Sequence, residues 1–128
     1  MTASKKELGD RSEELAAQYL RTKGYTLLDR NWRCRSGELD LIAAKDGLII
    51  FCEVKSSRFP GETHPEIRVN RVKQLKIVRT ANQYLAQTQY AFNTVRFDVI
   101  VLKQSKGRGI IEHLENAFWP PDEWEGGS

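Results

Sequence analysis

The sequence has few of the residues that define secreted, zinc-binding or membrane-spanning proteins. Its 128 residues include two cysteines, Cys34 and Cys52, too few for the disulfide framework of a small secreted domain. Neither cysteine has a His or Cys at the spacing of a zinc site, and we expect the lone His64 to be exposed in a loop. No apolar run approaches the roughly 20 residues of a membrane-spanning helix, and the N-terminus has no apolar signal core. We therefore expect a cytoplasmic protein without a membrane segment, in which Cys52 is a buried, reduced thiol.

The composition that remains is that of one ordinary globular domain. Hydrophobic residues make up 40% of the chain and charged residues 29%, and the length is sufficient for a single core. We predict one domain over residues 1–118 and a flexible tail over residues 119–128. The tail begins with Trp119-Pro120-Pro121, which cannot continue regular structure, and it ends in Gly-Gly-Ser.

Basic residues are concentrated ahead of an acidic C-terminal segment. All 20 Lys and Arg lie between Lys5 and Arg108, whereas 5 of the 17 acids follow Ile111. Residues 1–111 thus hold 20 bases and 12 acids, a net charge of +8. A basic body of this kind suits a polyanionic partner, although many basic surfaces have no ligand.

Apolar periodicity and turn residues predict an α/β fold in which helices flank a mixed central sheet. A capping box beginning at Ser4 starts the first helix and Gly24 ends it, and a second helix runs from Val69 to about Gln87. Because the second helix connects the third and fourth strands, we expect these strands to be parallel if they are neighbours. The predicted strands are Tyr25–Cys34, Leu39–Ala44, Leu48–Lys55, Asn93–Lys103 and Ile110–Leu114.

The second and third strands form a hairpin closed by Asp46-Gly47, a pair that favours a tight turn with two positive φ angles. In the register set by this turn, Leu41 faces Cys52 and Asp40 faces Glu53. Side chains alternate between the faces of a strand, so four charged side chains are predicted to share one face. They are Glu38, Asp40, Glu53 and Lys55. The same alternation places Leu28, Arg30, Trp32 and Cys34 on one side of the first strand.

Two facing carboxylates destabilise a hairpin unless something offsets their repulsion. At a separation of about 5 Å and an effective dielectric constant of about 20, the repulsion is on the order of 3 kcal/mol. A raised carboxyl pKa, the nearby Lys55 or a bound divalent cation would offset it. A register shifted by one residue, or a face that is simply solvated, would remove the conflict altogether.

Asp40, twelve intervening residues and Glu53-Val54-Lys55 resemble the PD-(D/E)XK nuclease motif, with Leu39 in place of its proline. Two adjacent carboxylates form a hard oxygen site for Mg²⁺ or Mn²⁺, which lowers the pKa of a bound water and stabilises charge on a phosphoryl oxygen. Lys55 lies on the same face as Glu53, where it can orient the attacking water or stabilise the transition state.

A longer series of sequence blocks extends from Gly9 to Phe118 in a fixed order. The blocks are Gly9-Asp10-Arg11-Ser12-Glu13, Gly24-Tyr25, Arg30-Asn31-Trp32-Arg33, Gly37-Glu38-Leu39-Asp40-Leu41-Ile42, Phe51-Cys52-Glu53-Val54-Lys55, Lys73, Arg96-Phe97-Asp98-Val99 and Ile111-Glu112-His113 through Ala117-Phe118. Together they resemble the YraN family of uncharacterised bacterial proteins, which is similar to Holliday junction resolvases. Ser12 stands where that pattern usually has glycine.

The resemblance implies a restriction-endonuclease-like fold in which Asp40, Glu53 and Lys55 occupy the nuclease positions. It also implies that Glu13, on the first helix, joins Asp40 and Glu53 at the metal. Lys73 occupies a position that would face the same cleft. By resemblance to the resolvases, we expect a homodimer.

The second helix begins with bases and no acids: Arg68, Arg71, Lys73, Lys76 and Arg79. A solvated helix face usually mixes both signs, so a face of one sign indicates phosphate contacts. The alternative is a basic surface without a ligand.

Three hypotheses about function follow. The first is a Mg²⁺- or Mn²⁺-dependent endonuclease acting on DNA, branched DNA included, in which Asp40, Glu53 and Glu13 hold the metal and Lys55 positions the water. Its candidate phosphate contacts are Arg58, Arg68, Arg71, Lys73 and Lys76. The second is a non-catalytic nucleic-acid-binding module with the same fold. The third is a protein-interaction adaptor that contacts its partner through residues 118–124.

Overall fold

The computed structural model describes residues 5–57, 71–105 and 107–118 of the chain. It contains two helices, α1 (Lys5–Thr22) and α2 (Arg71–Gln87). The five strands are β1 (Thr26–Cys34), β2 (Gly37–Lys45), β3 (Leu48–Ser57), β4 (Thr94–Ser105) and β5 (Arg108–Leu114). The order and type of these elements agree with the sequence prediction. Arg58, His64, Arg68 and the predicted tail over 119–128 lie outside the described residues.

One sheet contains all five strands in the order β1-β2-β3-β4-β5. Its neighbours are antiparallel except for β3 and β4, which are parallel and lie on either side of α2 in the sequence. This pair confirms the predicted crossover, because parallel neighbours need a long connection between them. The mixed sheet with its two helices is the predicted α/β architecture and is consistent with a restriction-endonuclease-like fold.

The two helices cover opposite faces of the sheet. Ile49 packs in a cluster with Ala81 of α2, whereas its neighbour Ile50 packs in a second cluster with Leu20 of α1. Since consecutive strand residues point to opposite faces, the sheet is sandwiched between the helices. We refer to the two sides as the α2 face and the α1 face. Cys52 is buried on the α1 face as a free thiol, as predicted.

Helix α2 buries only its C-terminal part against the sheet. The periodicity of the second helix predicts an apolar stripe of Val72, Leu75, Val78, Ala81 and Leu85. Val72 is 76% exposed, so its assignment to that stripe is wrong. The buried side chains begin at Ile77 and include Val78 and Ala81. The first turn of α2, with Arg71 and Lys73, therefore extends beyond the packed core. No helix in the described part of the chain is long and apolar enough to cross a membrane.

The hairpin register is the predicted one. Asp46 and Gly47 both have positive φ angles, 51° and 82°, and Leu41 pairs with Cys52. Asn and Asp tolerate the left-handed conformation that this turn needs in its first residue, and glycine adopts it without a steric cost. The shifted register considered above is thereby excluded.

Side-chain alternation fails in the adjoining part of β1 and β2. Leu41 packs on the α1 face, but Leu39, two residues away, packs on the α2 face. Likewise Arg30 hydrogen-bonds Glu14 of α1, whereas Trp32 packs against the cluster on the α2 face. The prediction that Leu28, Arg30, Trp32 and Cys34 share one side is therefore wrong.

This break in side-chain alternation also separates Glu38 from the other three charged residues of the hairpin. Leu39 points to the α2 face, so its neighbour Glu38 points to the opposite face. There Oε1 of Glu38 lies 3.3 Å from Nε of Arg33, in an ion pair. The prediction that Glu38 shares a face with Lys55 is wrong. Asp40, Glu53 and Lys55 still come together, as described next.

Candidate metal centre

Asp40 and Glu53 meet where the β2–β3 ladder ends. The last backbone pair is Leu41–Cys52, and beyond it the amide of Val54 donates a hydrogen bond of 2.9 Å to Oδ2 of Asp40. The side chains of Glu53 and Asp40 are themselves hydrogen-bonded. Burial, followed by the hydrogen bond and the charge of Asp40, raises the pKa of Glu53 to about 9. At neutral pH without a cation, Glu53 therefore keeps its proton in the hydrogen bond with Asp40.

Two lysines from different elements lie beside these carboxyl groups. Lys55 follows Glu53 by two residues in β3 and so lies on the same face. Lys73, in the first turn of α2, contacts the side chain of Lys55, and its charge acts on Glu53. Burial, and then the charge of Lys73, lowers the pKa of Lys55, while Glu53 and Asp40 oppose the change. The sequence resemblance predicted that Lys73 faces this cleft, whereas the basic pattern of the second helix indicated it only as a phosphate contact.

Glu13 approaches the pair from α1. Burial raises the pKa of Glu13, the charge of Asp40 raises it further, and a hydrogen bond with the side chain of Asn31 opposes both effects. The next residue, Glu14, is bound instead to Arg30. Of two consecutive glutamates on α1, the one implied by the resemblance is therefore the one on which the charge of Asp40 acts.

The basic residues predicted to contact phosphate are partly described. Arg71, Lys73 and Lys76 are exposed on α2, whereas Arg58 and Arg68 lie outside the described residues. Of the three described bases, Lys73 is the one whose charge acts on the carboxyl pair.

The β1–β2 turn packs closely against α2 beside Lys76. A Cβ atom at Gly37 would lie 2.9 Å from Oγ1 of Thr80 and 3.6 Å from Cγ of Lys76, so the turn needs glycine there. Nε2 of Gln83 donates a hydrogen bond of 2.8 Å to Oγ of Ser36. The turn that contains the exposed Arg35, which the sequence analysis did not select, is thereby held alongside α2.

The donor set fits a hard divalent cation. Asp40 and Glu53 supply carboxylate oxygens, the ligands that Mg²⁺ and Mn²⁺ prefer. Glu13 offers a third carboxylate, although the ligand atoms of these three residues do not all lie within 4.8 Å of one another. A cation would take the place of the proton that Glu53 keeps in its hydrogen bond with Asp40, and it would compensate the charge of all three groups. All three side chains are only partly buried, so water also has access to the site.

A second polar cluster, which the sequence analysis did not find, lies under α1. Asp98 is fully buried and accepts two hydrogen bonds of 2.8 Å from the guanidinium of Arg96. It also accepts a hydrogen bond of 3.2 Å from the amide of Asn116, and it lies 2.7 Å from Nε2 of His113. Although burial alone would raise it, these hydrogen bonds lower the pKa of Asp98. Nothing in the alternating pattern of β4 marks Asp98 as buried.

The Asp98 cluster has a structural role, because its contacts link α1 to the sheet. Ligand atoms of Cys52, Asp98 and His113 lie within 4.8 Å of one another, a separation short enough for a metal. Both oxygens of Asp98, however, already accept hydrogen bonds from Arg96, whose positive charge would repel a cation. Tyr19 of α1 lies 3.1 Å from Nδ1 of His113, so the cluster joins α1 to β4 and β5.

Comparison with known proteins identifies the family. The model of the uncharacterised protein family UPF0102 matches residues 12–102. A UPF0102 protein of Syntrophomonas wolfei is 44% identical over 113 residues, which cover 88% of this chain and 98% of that protein. One of Thermodesulfovibrio yellowstonii is 42% identical over 113 residues, covering 88% and 96% respectively. A third, of Nocardia farcinica, is 42% identical over 115 residues, covering 89% and 91%. These matches confirm the resemblance to the YraN family, and the chain belongs to the uncharacterised protein family UPF0102.

Proposed function

We propose that this protein is a metal-dependent endonuclease that hydrolyses phosphodiester bonds in DNA. The observation that carries the proposal is the hydrogen-bonded pair of Asp40 and Glu53, in which Glu53 has a pKa of about 9. Elsewhere in the fold a buried carboxylate is neutralised by bidentate contact with a guanidinium, as Asp98 is by Arg96. The Asp40–Glu53 pair instead retains a proton at neutral pH, and a divalent cation is the ligand that would replace it.

Each residue of the site has a role in this reaction. Asp40, Glu53 and Glu13 would hold Mg²⁺ or Mn²⁺, which when bound supplies an activated water and stabilises charge on the phosphoryl oxygens. The amide of Val54 fixes the orientation of the Asp40 carboxylate. Lys55 hydrogen-bonds the attacking water and aligns it with phosphorus. Lys73 faces the negative charge that builds up on the phosphoryl group in the transition state.

Bases along α2 supply the surface on which the nucleic acid would lie. From Lys73 at the carboxylates, the exposed residues Lys76 and Arg79 lead toward the β1–β2 turn with Arg35. Residues 73 and 83 are about 15 Å apart along a helix, because each residue rises ~1.5 Å. That length corresponds to about four nucleotides of one strand at ~3.4 Å each. The surface is thus long enough to bind several phosphates beside the one that is cleaved.

Cleavage of defined DNA substrates tests the proposal. Purified protein is incubated with supercoiled, linear and four-way-junction DNA in Mn²⁺, next to Asp40→Asn, Lys55→Ala and Glu38→Gln. We expect cleavage by the wild type and by Glu38→Gln, whose side chain pairs with Arg33 away from the site, and no cleavage by the other two. Cleavage that survives Asp40→Asn would come from a contaminant and would reject the proposal. Salt-sensitive binding without cleavage in any metal would support the non-catalytic module instead.

A further inference from the structure

Asn31 has an unusual backbone conformation at the point where β1 crosses the candidate metal centre. Its φ angle is 49°, in the left-handed region that residues within a strand rarely adopt. The flanking pairs, Arg30–Leu41 and Trp32–Leu39, place Asn31 opposite Asp40. The two residues therefore mark the same step of the β1–β2 ladder.

The break in side-chain alternation, in β1 and in β2, occurs at this step of the ladder. Arg30 bonds Glu14 of α1, whereas Trp32 stacks edge-on against Tyr84 of α2 with ring centroids 5.3 Å apart. In a regular strand these two residues would share a face. A left-handed residue between them turns the backbone over, and its own side chain is left at the surface near α1.

The side chain of Asn31 forms a hydrogen bond with Glu13. An ionised carboxylate only accepts, so the Nδ2–H of the amide is the donor. The like charge of Asp40 also acts on Glu13 and repels its ionised carboxylate. The hydrogen bond holds it in place against that repulsion.

We propose that Asn31 is a positioning residue that holds the Glu13 carboxylate toward Asp40, where it would bind the metal or one of the metal's waters. The inference rests on the proposed function, because it assigns a purpose to Asn31 only if Asp40, Glu53 and Glu13 bind a cation. Asn31 itself touches neither substrate nor metal. The left-handed φ of Asn31 directs its side chain toward α1, and the side-chain amide there donates a hydrogen bond to Glu13. Both features therefore contribute to positioning the Glu13 carboxylate.

The rival explanation is that asparagine is there only because it tolerates a positive φ. Asn31→Gly separates the two explanations, since glycine adopts this backbone conformation freely but has no amide donor. If only the backbone matters, the glycine variant binds metal as the wild type does. If the donor matters, metal affinity falls although the fold is retained, which the melting temperature in EDTA will show.

Calorimetric titration of the full chain with Mn²⁺ tests the proposal through a double-mutant cycle of Asn31→Gly and Glu13→Gln. We expect Asn31→Gly to weaken Mn²⁺ binding by about tenfold or more, as loss of a group that orients a ligand commonly does. Because Asn31 acts through Glu13, the double variant should bind no more weakly than Glu13→Gln alone. Wild-type affinity in Asn31→Gly, or a further full loss in the double variant, would overturn the assignment and leave the metal site intact. Absence of Mn²⁺ binding by the wild type would instead reject the proposed function, and this inference with it.

Discussion

The backbone amide of Val54 in β3 donates its hydrogen bond to the side chain of Asp40 in β2, at a distance of 2.9 Å. In a continuing ladder that amide would bond a backbone carbonyl of the neighbouring strand. Here the pairing stops at Leu41–Cys52, and the next donor orients a carboxylate instead. The end of the hairpin ladder is thus what brings Asp40 within hydrogen-bonding contact of Glu53.

Replacement of Asp40 by asparagine should stabilise the metal-free protein while it abolishes Mn²⁺-dependent cleavage. Asparagine keeps an oxygen for the Val54 amide but removes the charge that Glu53 faces. Without that charge the pKa of Glu53 should fall, so keeping Glu53 protonated at pH 8 costs less, and the free energy of unfolding should rise by on the order of 1 kcal/mol or more. Urea unfolding in EDTA measures it, and Glu38→Gln, which loses only a surface pair with Arg33, serves as the control. A destabilised Asp40→Asn would contradict the account.

The stability of the metal-free protein should fall as the pH rises from about 5 toward 9. Burial and Asp40 raise the pKa of Glu53 to about 9 from its ordinary value of 4.5, so between these values the folded state binds a proton that the unfolded state releases. Stability falls with pH wherever the folded state holds more protons. The melting temperature, measured in EDTA across this range, should fall less steeply in Glu53→Gln. Equal slopes in the two proteins would show that Glu53 is not the group responsible.

Saturating Mn²⁺ should abolish that pH dependence. A cation competes with the proton for the Asp40–Glu53 pair, so Mn²⁺ binds more tightly as the pH rises and stabilises the fold by mass action. The rise in melting temperature on addition of Mn²⁺ is therefore expected to be larger at pH 8 than at pH 6. An equal rise in melting temperature at pH 6 and pH 8 would mean that Mn²⁺ binds at another site.

Asp98→Asn is expected to destabilise the fold by on the order of 3 kcal/mol, because it removes the buried counter-charge of the mostly buried Arg96. Glu115→Gln is the matched control, since Glu115 pairs with the same guanidinium at 3.6 Å but is 59% exposed. Exposed pairs typically contribute less than ~1 kcal/mol. Urea unfolding of both variants measures the difference. Similar losses in the two would refute the structural role assigned to Asp98.

Lys73→Ala and Lys76→Ala should separate catalysis from binding. Lys73 lies at the carboxyl pair, so its loss is expected to lower kcat by about 100-fold, the scale found for single groups that stabilise transition-state charge. Lys76 lies one turn along α2, and its loss should weaken DNA binding and reduce the slope of affinity against salt by about one. Steady-state cleavage and salt titrations measure the two effects. The same kinetic signature in both variants would contradict the distinction.

Local sequence patterns were sufficient for the hairpin and its neighbours. Asp46-Gly47 sets the turn, and the turn sets the register that pairs Leu41 with Cys52. The parallel pairing of β3 and β4 follows from the length of the connection between them. These features depend on residues close in sequence or on general rules of topology, so they can be read without knowledge of the tertiary contacts.

Other features depend on contacts between elements that are distant in sequence. Strict alternation cannot anticipate that Asn31 reverses the facing of β1 and β2, because the reversal is set by one left-handed residue and its ladder partner. Val72 fits a helical apolar stripe, but it lies in the first turn of α2, ahead of the buried residues that begin at Ile77, and is exposed. The position of Asp98 in the sequence of β4 does not indicate that it is buried, because its burial depends on contacts with the side chains of Arg96 and His113.

The most direct test is a crystal structure of the protein soaked in Mn²⁺, with anomalous diffraction measured to locate the metal. The account predicts one anomalous peak within coordination distance of carboxylate oxygens from both Asp40 and Glu53, with Glu13 in the first or second coordination shell. A structure in which this position lacks anomalous density at saturating Mn²⁺, or in which the metal binds only at Cys52, Asp98 and His113, would contradict it.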